Sequence, residues 1–118
     1  MGSFSMRVVG ATQRYPTTST NAAAASAVVT TSPARLYSIS GYNNGAAQYI
    51  QLFDLTALPA DTTVPLLSFP VGAQQWWYFD WQDGLPMTLG VVVCNSSTAL
   101  TKTIGAADNQ FVATFRTV

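Results

Sequence analysis

The 118-residue chain contains no histidine and no glutamate, and a single cysteine, Cys94. Without histidine, neither a Ser-His-Asp nor a Cys-His arrangement can be assembled. One thiol and no imidazole leave zinc without a ligand set. The lone cysteine also excludes an intramolecular disulfide, so nothing here depends on an oxidising compartment. Cys94 sits in the apolar run LGVVVCNS and is expected as a buried core thiol.

Charge is scarce as well, at 8% of residues, where soluble domains average about 25%. Five cations (Arg7, Arg14, Arg35, Lys102 and Arg116) balance five aspartates (Asp54, Asp61, Asp80, Asp83 and Asp108). Scattered cations at zero net charge give no electrostatic footprint for nucleic acid. No polybasic stretch is present to meet anionic lipid, and no run approaches the roughly 20 apolar residues of a membrane helix. Met1 to Met6 lacks the apolar core of a secretory leader. Nucleic acid and membrane are therefore not expected partners.

P-loop and GxGxxG patterns are missing among the eight glycines. Asp80 and Asp83 form the one close carboxylate pair. Three residues apart beside an Asp-Gly turn signal, they suit turn capping better than glycoside hydrolysis, and they lack the ligand-rich loop of a calcium site. No enzyme activity, cofactor or metal is expected.

What the chain does have is an order of short β-forming runs separated by turn clusters. Residues 1–34 are rich in Ala, Thr and Ser, thin in aliphatics, and read as an extended N-terminal arm. Residues 35–118 read as one all-β domain, a small antiparallel β-sandwich of jelly-roll or immunoglobulin-like form. RLYSISGY, the turn NNGA and AQYIQLFD predict a hairpin with positive φ at Asn44-Gly45. VPLLSFPV, with prolines near both ends, predicts an edge strand. Asp83-Gly84 reads as a further turn. In MTLGVVVC, Met87, Leu89, Val91 and Val93 share a face, and in FVATFRTV so do Phe111, Ala113 and Phe115.

The stretch WWYFDW (Trp76 to Trp81) holds five of the 14 aromatics. In a strand it sends Trp77, Phe79 and Trp81 to one side and Trp76, Tyr78 and Asp80 to the other. The first triad suits a core; the second is too apolar for an ordinary solvent face. QYIQLF repeats the excess, with Ile50 and Leu52 on one face and Tyr49 and Phe53 on the other. Two strands apolar on both sides predict that a second sheet face is covered, whether by the arm, by a neighbouring subunit or by a ligand.

The spaced set LYSISGYNNGAAQYIQLFD, VPLLSFPV and FDWQDGLPMTLGVVV, spanning about half the chain, resembles small virion proteins of tailed bacteriophages. Tyr42-Asn43, Tyr49 to Asp54, Pro65 to Pro70, and Gly84 with Gly90 fill the places of that pattern. The resemblance implies a β-sandwich, often trimeric, on the outside of the particle. There it would act as a capsid decoration (cement) protein bound to the major capsid protein and bridging its subunits. Tyr49, Phe53, Trp76 and Tyr78, with Arg7, Val8, Val9 and Tyr15 of the arm, are the candidates for subunit or capsid contact. The alternative is a small tail, fibre or baseplate protein that binds a host-surface glycan through the aromatic strand.

Overall fold

A computed structural model describes residues 16–20 and 22–118. Its eight strands are β1 (Thr17–Ser19), β2 (Ser26–Thr30), β3 (Ala34–Asn43), β4 (Gln48–Phe53), β5 (Leu67–Val71), β6 (Gln75–Met87), β7 (Val91–Ser96) and β8 (Asn109–Thr117). They form two four-stranded antiparallel sheets with orders β1-β8-β3-β6 and β2-β7-β4-β5. The chain crosses between sheets at every connection except β4–β5, which is the jelly-roll form of the sandwich.

The first thirty residues are not all arm. Thr17–Ser19 pairs with β8 and Ser26–Thr30 with β7, so this small-residue segment adds an outer strand to each sheet. Short side chains suffice there because an edge strand is held by backbone bonds to one neighbour. Arg7, Val8, Val9 and Tyr15 lie outside the described residues.

NNGA is not a hairpin turn either: β3 and β4 belong to different sheets. Neither Asn44 nor Gly45 takes a positive φ. The fully buried Asn43 supplies the bonds a hairpin ladder would have made. Its Nδ2 donates to Ala46 O (2.9 Å) and Gly72 O (2.8 Å), while its Oδ1 accepts from Gly45 N (3.0 Å) and Gln48 Nε2 (2.6 Å). Asp83-Gly84, expected as a turn, lies inside β6. Between the pairs Leu36↔Leu85 and Ser38↔Asp80 only Tyr37 intervenes on β3, against residues 81–84 on β6. Gly84 absorbs this bulge at φ 83°, and Arg35 Nη1 reaches across to Asp83 O and Gly84 O. β5, with Pro70, is an edge strand as its prolines predict.

The main core lies between the sheets. Leu36, Ile39, Trp77, Phe111, Ala113 and Phe115 meet Ile50, Leu52, Val71, Val91 and Val93. Trp77 fits because β3 carries Gly41 opposite it; a Cβ there would stand 2.7 Å from Trp77 Cζ2 and 1.7 Å from Gln110 O.

A smaller core of Phe53, Val92 and Cys94, with Leu55 and Ile104 against it, fills the outer side of the second sheet. Its cover is the chain itself. Gln51 Nε2 donates to Thr98 O and Thr101 O, Thr62 N to Lys102 O, and Lys102 N to Thr63 O. Through these bonds residues 54–66 and 97–104 lie across the sheet. The nearly fully buried Lys102 ammonium is paired with Asp61, as a buried cation requires.

The β6–β7 turn is fastened by Asp54. Its Oδ2 accepts from Thr88 N and Oγ1, and its Oδ1 from Leu89 N and Gly90 N. Desolvation pushes this carboxyl up, but the four donors outweigh it and hold the pKa below the ordinary value. A depressed folded pKa contributes stability that is present above the unfolded value and is lost as pH falls through the folded one. Asp54→Asn should therefore cost about 1–2 kcal/mol at pH 7. It should also flatten the fall in Tm below about pH 4, as calorimetry across that range will check.

Candidate functional site

The outer face of the first sheet is set by register. Trp76 sits beside Tyr42 and then Gln110; Tyr78 beside Ser40 and then Val112; Asp80 beside Ser38 and then Thr114. Ser19 and Thr17 of β1 extend the last two rows. Alternation along β6 does what the sequence predicts. Trp77 is buried at 6% exposure and packs on Phe79 and Phe111, whereas Trp76 and Tyr78 stand 76% and 62% exposed. Across these rows Asp80 is the one charged side chain; Arg35 and Arg116 come only at the far end of the face, paired with each other across β3 and β8.

At the near end of that face Trp76 tilts against Tyr42, with ring centroids 4.9 Å apart at 60°. The two rings, with Ala23, Asn44, Asp108 and Gln110, enclose a cleft of about 230 Å³. Asp108 is held firmly. Its Oδ1 accepts from Gln48 Nε2 (3.1 Å), Asn95 Nδ2 (3.0 Å) and Asn109 Nδ2 (2.9 Å), and its backbone O from Asn44 N (2.8 Å). Asn109 Oδ1 in turn accepts from Trp77 Nε1 (3.1 Å), so the buried indole is tied to the same cluster.

The sequence candidates do not form one surface. Trp76 and Tyr78 share the open face. Tyr49 is half-buried on the second sheet, between Ser96 and Pro70. Phe53, at 2% exposure, is a core residue under the chain's own cover and no contact candidate. Residues 97–104 fold back over it from more than forty positions away, which no local pattern announces.

Sequence reasoning also missed a second surface. Val64, Leu66 and Leu100 are exposed on the segments that cover the second sheet, opposite the aromatic face. Val64 and Leu66 lie in VPLLSFPV, read as an edge strand whose ladder in fact begins only at Leu67, and Leu100 stands alone in a polar stretch.

Among the described residues no three His, Cys, Asp or Glu side chains gather as metal ligands. Cys94 is buried, and desolvation, with Lys102 opposing and Asp61 adding, pushes its thiol up to about 11. Compared with protein-family models, curated proteins and solved structures, the chain matches none.

Two outcomes follow from this placement. Trp77→Ala should cost about 3–5 kcal/mol, while Trp76→Ala should change stability by no more than about 0.5 kcal/mol, as urea denaturation will check. Cys94 should stay unreactive to a disulfide reagent at pH 8 in the folded chain and react fully once urea unfolds it.

Proposed function

We propose that the protein is a non-enzymatic component of a bacteriophage virion. As a decoration protein it docks on the outer capsid surface and braces neighbouring subunits of the major capsid protein. The observation that carries this reading is the pair of unlike exposed surfaces on opposite sides of one small sandwich. One is the aromatic sheet face, with Asp80 as the one charged side chain of its rows, and the other carries the exposed aliphatics Val64, Leu66 and Leu100 on the covering segments. The resemblance in the strand and turn pattern supports the same placement, and the low charge suits a surface destined for an assembly.

Magnitudes favour action by several copies. Burying three such aliphatics contributes about 4–9 kcal/mol gross, against roughly 4–15 kcal/mol for lost freedom on association. One copy therefore binds weakly and needs partners for avidity. The outer edge of β6, which pairs with no strand among the described residues, offers a template for a neighbouring chain. A trimer that shares contacts through this edge and through residues 1–15 meets the requirement.

A second reading, a tail, fibre or baseplate domain that binds a host glycan, is favoured by the cleft beside the exposed Trp76.

The test joins light scattering to co-sedimentation with capsids of the cognate major capsid protein. The full chain should behave as a trimer and sediment with capsids, and deletion of residues 1–15 should dissociate it. Val64→Ser, Leu66→Ser and Leu100→Ser combined should abolish capsid binding while Tm stays unchanged. A monomer that ignores capsids would overturn the decoration role.

A further inference from the structure

We propose that the cleft between Tyr42 and Trp76 binds a single neutral sugar ring. The proposal rests on the glycan reading and is separate from the shell contact, which lies on the other side of the sandwich.

Size comes first. A volume of about 230 Å³ falls below the roughly 300–1,000 Å³ of sites for drug-sized ligands. One ring fits; a longer ligand would have to extend over the open face. The walls then decide the chemistry. Trp76 presents a large, exposed π-surface whose negative face attracts the weakly positive C–H groups on one side of a pyranose. Tyr42 closes the angle behind it.

The remaining walls speak the language of hydroxyl groups. The side-chain amides of Asn44 and Gln110 have no hydrogen-bond partner among the described residues, and each offers two donors and an acceptor oxygen. Asp108 is acceptor-only when ionised. Its Oδ1 is saturated by three amide donors, and its Oδ2 lies against Gly45, where an added Cβ would stand 2.0 Å from it. A sugar hydroxyl can donate to the amide oxygen of Asn44 or Gln110 while another accepts from an amide N–H. An apolar ligand would leave these polar groups unpaired, at a cost in affinity.

Charge excludes the obvious rivals. Among the described residues no Lys or Arg lines the cleft, and the Asp108 carboxylate beside it disfavours phosphate, sulfate and acidic sugars. The same repulsion speaks against a nucleotide, although a base could stack on the indole. The site is also prebuilt. Asn44 N donates to Asp108 O, and Gln74 Nε2 donates to Asn44 O (2.9 Å), so little ordering is needed on binding.

The experiment titrates the full chain with the methyl glycosides of glucose, galactose and N-acetylglucosamine at millimolar concentrations. Saturation-transfer NMR reports contact, and tryptophan fluorescence reports occupancy. At least one glycoside should bind saturably. Trp76→Ala should weaken it roughly tenfold or more with unchanged Tm. Gln110→Ala, which keeps the aromatic wall, should weaken it several-fold. Both variants should still sediment with capsids if the decoration reading holds. Sugar binding retained in the Val64, Leu66, Leu100 triple variant would leave this site standing whatever happens to capsid binding. No binding by any of the three glycosides, or equal affinity in Trp76→Ala, would overturn the proposal.

Discussion

Everything at the open end of this sandwich depends on one carboxylate and the amides gathered round it. Gln48 comes from β4, Asn95 from β7 and Asn109 from β8, and all three donate to Asp108 Oδ1. Asn43, from β3, accepts from Gln48 and so joins the cluster. These are the two inner strands of each sheet, so a single polar cluster clamps both layers together. Buried polar groups are stabilising only when nearly all are satisfied, and a half-made network would be worse than an apolar plug. Here the network is dense because the chain must change sheets at this end. A crossing strand cannot continue its ladder, and side-chain amides take over the bonds that the backbone gives up.

That clamp links fold to surface. Asp108 and Asn44 are at once members of the network and walls of the cleft, and the Trp77 indole that anchors β6 from inside donates to Asn109. Alternation then fixes the rest. With Trp77 locked inward, Trp76 and Tyr78 have nowhere to point but out. The exposed aromatics are thus a consequence of a rigid strand rather than of a loose one. A rigid scaffold under an exposed ring is what a binding surface requires, because little conformational entropy is lost when the ring is covered.

Much of this was legible in the residues. Alternation in WWYFDW, in MTLGVVVC and in FVATFRTV assigned core faces correctly, except at Leu89, which the β6–β7 turn carries to the surface. The prolines of VPLLSFPV marked an edge, and the apolar run around Cys94 marked a buried thiol. What stayed hidden was whatever depends on distant partners. Asn43 bonds to Gly72, twenty-nine residues on, and so turns an apparent hairpin into a corner. The Asp-Gly signal at residues 83 and 84 was real in asking for a positive φ, yet a bulge consumed it. Phe53 seemed to need a partner because its cover is supplied by residues that become neighbours only after folding. The small residues of β1 and β2 carry no pattern because an edge strand asks little of its side chains.

The two strands that read as apolar on both faces therefore have opposite resolutions, and the difference is instructive. β4 lies at the centre of its sheet with two loops long enough to fold back over it, so its outer apolar face is closed by the chain and becomes a second core. β6 lies at the edge of its sheet, next to β3, and among the described residues no connection passes over its outer side. The same excess of aromatic surface is core in one place and open in the other, and topology alone decides which. A sheet face that no described residue covers, with an exposed indole beside amides that have no partner among the described residues, is the part of this molecule whose free energy can still fall on meeting something else.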